Sequence, residues 1–191
     1  GLPNQGVQIL YEVLNERDWI VAERTYAVWP DMEAVMRSHD VPQFTVDAHR
    51  PVRDFDVLGL SFSTELGYTN MLTALDLAGV PLHAVDRTDD DPIVLAGGHA
   101  AFNPEPVADF LDAAVLGDGE EIVLAISDVV RDHTAQGRPG GRVELLRRLA
   151  VTGNVYVPRF HEVTYGEDGA LACVAPVVEG VPFRVRKHTL M

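Results

Sequence analysis

The chain is almost without cysteine. Cys173 is the single one in 191 residues, so no internal disulfide can form and a cysteine-rich metal site is excluded. That usage fits a reducing, cytoplasmic setting. Basic residues are also scarce: 15 Lys and Arg stand against 29 Asp and Glu, a formal net charge of −14. Proteins that grip a nucleic-acid backbone or an anionic membrane gather cations on one face. Here the cations are scattered, with one short cluster at Arg184, Arg186 and Lys187, so neither nucleic acid nor membrane is an expected partner of this segment. Acidity of this kind commonly serves solubility. No apolar run reaches the roughly 18 residues of a membrane span. The opening Gly1-Leu2-Pro3-Asn4-Gln5 lacks the basic and apolar regions of a signal peptide.

What is present is globular in character. Hydrophobic residues make up 47% and charged residues 23%, which argues against wholesale disorder. The length suffices for one domain with a good core plus an appendage. Val7, Leu10, Val13 and Leu14 recur at helical spacing and predict a helix over residues 4–16, with Asn4 as its N-cap. Alternating β-branched and aromatic residues predict a strand over 20–28, and Asp31 is expected to cap a short helix ending near Ser38. A short strand is expected over 43–47. The nearly continuous apolar run 55–63 reads as a strand buried on both faces, followed by a helix over 65–78 that Gly79 ends.

Further strands are expected over 93–96 and 113–116, with helices over 104–110 and 120–132. The β-α-β-α-β-α order implies a doubly wound, Rossmann-like α/β fold: a parallel sheet with helices on both faces, over residues 1–136. Residues 137–191 read as a linker, a helix over 142–150 and short strands over 153–158, 160–165 and 171–178, with a hairpin turn at Glu167-Asp168-Gly169. The chain opens on a helix with no strand before it. Doubly wound folds place their first strand near the sheet centre, so a further strand is expected upstream of Gly1.

Two strand-end loops carry the main functional signal. Gly97-Gly98 follows one buried strand, and Gly117-Asp118-Gly119-Glu120-Glu121 follows the next. Ligands of open parallel sheets bind at strand C-terminal ends, where paired glycines let a backbone approach closely. The second loop opens a helix, but Asp118, Glu120 and Glu121 would repel a phosphate there. Its dinucleotide fingerprint is incomplete, with Ile122 at the last glycine position. Gly59-Leu60-Ser61-Phe62-Ser63 approaches a nucleophile elbow but ends in Ser63 instead of glycine. A nucleotide-dependent oxidoreductase and a serine hydrolase are therefore outside alternatives. His49, within Asp47-Ala48-His49, reads as a surface loop residue. Asp89, Asp90 and Asp91 read as a solvated loop, since they lack the glycine and terminal Glu of a calcium loop. No histidine spacing supports zinc.

Taken jointly, Gly97, Gly98, Pro104, Glu105, Gly117, Gly119 and Glu120 resemble the cobalamin-binding-type domain that precedes many radical S-adenosylmethionine (SAM) enzymes. The similarity is closer to one bacterial group of that superfamily and extends through residues 6–15, 29–33, 55–59, 70–79, 91–92 and 156–158. The resemblance implies a slot for the cobalamin nucleotide tail along the strand ends, faced by Ser61, Ser63, Gly97, Gly98 and Gly117. No axial histidine follows from it. Some groups keep the fold without the cofactor, and Phe62, His99 and Phe102 are bulky enough to fill such a slot. In that family the radical chemistry belongs to a downstream domain of the same polypeptide. Three cysteines there bind a [4Fe–4S] cluster whose fourth iron holds SAM. With Cys173 alone, this segment supplies no such cluster and no catalytic residue. The resemblance thus implies an accessory domain of a radical SAM enzyme. The alternative is a docking domain that binds no cofactor.

Overall fold

In the computed structural model, which describes residues 4–189, three parallel strands form the heart of the molecule. They are β1 (Val57–Ser61), β2 (Ile93–Gly97) and β3 (Ala113–Val115). A fourth strand, β4 (Val155–Tyr156), joins antiparallel, and the sheet order is β1-β2-β3-β4. Register pairs Val57 with Ile93 and Ser61 with Gly97, so β1 and β2 start and finish together, while the shorter β3 begins opposite Leu95. A separate two-stranded antiparallel hairpin consists of β5 (His161–Tyr165) and β6 (Leu171–Pro176).

Side-chain alternation along these strands builds two cores, one on each face. Leu58, Val94, Ala96 and Ala114 point to one side, where Met71, Leu75 and Ala78 of helix α3 (Tyr68–Ala78) cover them. Ile93, Leu95, Ala113 and Val115 point to the other. There they meet Ile122, Ile126 and Val130 of α4 (Gly119–Ala135) and Leu145, Leu146 and Leu149 of α5 (Gly141–Ala150). Leu146 and Leu149 are fully buried, and truncating either to Ala would cost about 2–5 kcal/mol. This second core joins residues on both sides of position 136.

Several local expectations hold. Helix α1 (Gln5–Asn15) begins at Asn4, whose side chain accepts from the Val7 amide. Gly79 ends α3 at φ +66°, a backbone region that glycine enters without penalty. A 3₁₀ turn at Glu65–Gly67 precedes α3, so the regular helix starts later than its apolar spacing suggests.

Three expectations are corrected. Residues 20–28 are extended but pair with no strand among the described residues, so the alternation there makes a strand-like backbone without a sheet partner. Helix α2 (Pro30–Ser38) has Trp29 at its N-cap, while Asp31 lies inside the first turn and accepts from the Met32 amide. The expected strand over 43–47 reduces to one bridge between Phe44 and Pro51.

Candidate functional site

Because β1, β2 and β3 are parallel and nearly in register, their C-terminal ends open at one end of the sheet. Ser61 and Gly97 are register partners there. The Ser61 hydroxyl accepts from the Asn4 side-chain amide at 3.4 Å, which places the start of α1 at the end of β1. Ser63 is exposed two residues on. A Cβ on Gly97 would meet nothing within 4 Å, so this glycine leaves room beside the strand end.

Gly98 is different. Its φ of +93° lies in a region L side chains rarely adopt, and a Cβ there would lie 2.6 Å from the Phe62 carbonyl oxygen. The two strand ends are stitched together. The Phe62 amide donates to Gly97 O at 2.8 Å, and the Ala100 amide donates to Phe62 O at 3.1 Å. Phe62 is only 4% exposed and packs edge-on against Tyr68, ring centroids 5.1 Å apart. The Tyr68 hydroxyl donates to Ala100 O, closing the loop after β2 onto the start of α3. Of the bulky residues singled out in the sequence, Phe62 is buried, whereas His99 and Phe102 are exposed.

Gly117, at φ +118°, is also occupied by protein. The chain near its C-terminus returns to this point as a single parallel bridge, Gly117 to His188. The His188 amide donates to Leu116 O at 2.9 Å, and the Asp118 amide donates to His188 O at 3.1 Å. A Cβ on Gly117 would collide with the His188 backbone. Two further bonds hold the same tail: Arg186 amide to Gly153 O at 2.8 Å, and the Asn154 side-chain amide to Arg186 O at 3.0 Å. His188 Nε2 lies 2.9 Å from the Glu121 carboxylate in the first turn of α4, where Glu120 and Glu121 suit the helix dipole.

Glu105 and Tyr156 form a contact that sequence reading missed. The Tyr156 hydroxyl donates to the Glu105 carboxylate at 2.5 Å, tying β4 to the loop beneath the strand ends. Burial, then the Glu105 hydrogen bond, push the phenol above its ordinary pKa. The residues are 51 positions apart, and nothing local in either segment announces the pairing.

The remaining candidates have structural surroundings. Ser61 has the Asn4 side-chain amide as its hydrogen-bond partner and pairs with no histidine or carboxylate among the described residues, so it is not set up as a nucleophile. Asp47 is held by Arg24 at 2.8 Å, which lowers its carboxyl pKa, and His49 is an exposed loop residue at φ +57°. Asp89 accepts from the Arg142 amide at the start of α5, and Asp91 accepts from the Thr88 amide and hydroxyl. Among the described residues no group of His, Cys, Asp and Glu could hold a metal ion, and no helix is long and apolar enough to cross a membrane. A cleft of about 470 Å³ opens at the opposite end of the sheet, lined by Asp56, Asp91, His133 and Arg138 among others.

No curated protein and no solved structure matches the chain. Residues 6–158 match the family described as radical SAM proteins, N-terminal. That span takes in all of α1 but its first residue, the whole four-stranded sheet and both glycine loops. The chain therefore belongs to the N-terminal-domain family of radical SAM proteins.

Proposed function

We propose that this is an accessory domain that docks its strand C-terminal end against a downstream radical SAM domain of the same polypeptide, with a cobalamin-type slot closed by its own chain. The observation that carries the reading is the tail at residues 186–188. It lies beyond the matched span 6–158, is hydrogen-bonded to Leu116 and Asp118, and so brings the polypeptide back to the strand ends. Cleavage of SAM at a [4Fe–4S] cluster is the chemistry of the downstream domain; this segment, with Cys173 alone, holds no cluster.

The residues present do not fit a cobalamin nucleotide tail. The close-approach space at Gly98 is taken by the Phe62 backbone, and that at Gly117 by the His188 backbone. Phe62, Ala100 and Ala101 pack into one core under the loop after β2. Gly98 and Gly117 thus serve chain-to-chain packing, and the family match alone does not assign a ligand.

Cross-linking of the full-length protein through carboxylates tests the docking face. Glu65 and Glu121 flank the strand C-terminal ends, whereas Asp54 and Asp90 are exposed at the opposite end. Links to the downstream domain are expected from the first pair. Links predominantly from the second pair would overturn the docking assignment. Titration of the same protein with hydroxocobalamin is expected to give no saturable change in the visible spectrum, and a saturable change would refute the closed slot.

A further inference from the structure

The region before residue 47 is incompletely covered in a regular way. β1 is an edge strand. Toward β2, Asp56 O accepts from the Ile93 amide at 2.9 Å and the Phe62 amide donates to Gly97 O at 2.8 Å. In a parallel ladder the residues of one strand alternate between its two neighbours. Asp56, Leu58, Leu60 and Phe62 therefore serve β2, and the backbone groups of Val57, Gly59 and Ser61 point to the other edge. No described strand lies there, and Gly59 is exposed.

Residues 20–28 show a matching alternation. The amide and carbonyl of Ala22 are both bonded to the Asn15 side chain at 3.1 Å. The Arg24 amide donates to Asp47, Arg24 O accepts from the Val46 amide, and Tyr26 O accepts from the Gln43 side chain. The backbone groups of Val21, Glu23, Thr25 and Ala27 have no partner among the described residues. This segment is thus a second open strand edge, and long open edges of this kind recruit another strand.

The adjoining side chains tell the same story. Helix α1 is amphipathic, yet none of its residues is buried. Val21 is 62% exposed and Tyr26 50%. The buried side-chain atoms lacking a partner include Arg24 Nε and Gln43 Oε1, both in this layer. The position of Asn4 against Ser61 shows where the chain enters α1: at the C-terminal end of β1. That is where a strand parallel to β1 would deliver it, in the right-handed β-α-β arrangement that parallel sheets adopt.

We infer that an apolar β-strand, contributed by polypeptide upstream of Gly1, inserts parallel to β1 between β1 and residues 20–28. It buries the apolar face of α1 and continues the sheet. Matching β1 (Val57–Ser61) calls for about five residues.

Amide hydrogen exchange on the full-length protein tests it. The amides of Val57, Gly59, Ser61, Val21, Glu23, Thr25 and Ala27 are expected to exchange at least about a hundredfold more slowly than in free peptide, as core strands do. Free-peptide rates at these positions would overturn the inference. Protection that falls on dilution, together with a dimer by light scattering, would also overturn it, because a second copy would then be covering the edge. Deleting the stretch before Gly1 should restore fast exchange at these seven amides; if the protection survives the deletion, the strand comes from elsewhere and the inference fails.

Discussion

Arg142 grips Asp112 twice, Nη2 to Oδ2 at 2.7 Å and Nε to Oδ1 at 3.2 Å, in a site where the Asp112 side chain has no contact with water. Arg87 Nη1 reaches the same Oδ2 at 2.7 Å, and the Val94 amide donates to it as well. The remaining guanidinium donors are spent on carbonyls. Arg87 donates to Pro81, Leu82 and Phe110, and Arg142 to Thr88, Asp91 and Pro92. One carboxylate thus fastens the N-terminal ends of β2 and β3 to the start of α5. Burial is the dominant influence on Arg87 and lowers its pKa.

Removing the carboxylate strands two buried cations. Asp112→Ala is expected to destabilise the domain by about 3–5 kcal/mol, the usual cost of breaking a buried pair from one side. Urea unfolding measures it. A loss below about 1 kcal/mol would mean that water enters and replaces the carboxylate.

Gly97 and Gly98 should respond in opposite ways although they are adjacent. Gly98→Ala forces a side chain into a positive-φ site against the Phe62 carbonyl and should cost about 1–3 kcal/mol with no ligand present. Gly97→Ala meets open space and should stay within about 0.5 kcal/mol. Thermal melts of the two variants in cobalamin-free buffer make the comparison. Equal stability of both would remove the packing explanation of Gly98.

Gly117→Ala should release the tail rather than unfold the sheet. Trypsin sites at Arg184, Arg186 and Lys187 lie in the tail, and Arg186 is held by Gly153 and Asn154. Cleavage there is expected to accelerate about tenfold or more, as local opening becomes easier. Unchanged cleavage would show that the bridge to His188 does not restrain this segment.

His133 gives a pH dependence of defined sign. It is 2% exposed, with its Nδ1 unpartnered, and desolvation, followed by nearby Arg148, holds its pKa below the ordinary 6.5. The unfolded chain therefore takes up a proton that the folded chain refuses. This contribution is complete above about pH 6.5 and is lost as pH falls below it, with a slope of at most about 1.4 kcal/mol per pH unit. Unfolding measured from pH 7.5 to 5.5 should show the wild-type chain losing stability relative to His133→Leu. Parallel curves would mean that His133 protonates equally in both states.

The parts of this fold legible in the sequence are those decided within a few residues. Asn4 caps α1 because its side chain reaches an amide three positions on, and Gly79 ends α3 because its backbone tolerates a left-handed turn. The apolar runs at 93–96 and 113–116 read as buried strands because both faces of the sheet are covered. The misreadings depend on distant partners. Residues 20–28 have strand-like alternation, but pairing depends on a neighbour that alternation does not supply. The glycine loops do lie at the ends of β2 and β3, as the buried apolar runs before them imply. What fills Gly117 is a backbone segment far along the chain, and what neutralises Asp112 comes from Arg87 and from Arg142 in the first turn of α5, so neither is visible locally.

The buried Arg87–Asp112–Arg142 group has a consequence for behaviour in salt. Mobile ions screen charges that face water and barely reach those that do not. The surface of a chain with net charge −14 repels itself, and that repulsion is what added ions weaken. The attraction at Asp112 is shielded from them by the surrounding core. Raising ionic strength should therefore tighten this domain, as in proteins adapted to brine, because its strongest ionic contacts lie beyond the reach of the solvent's own ions.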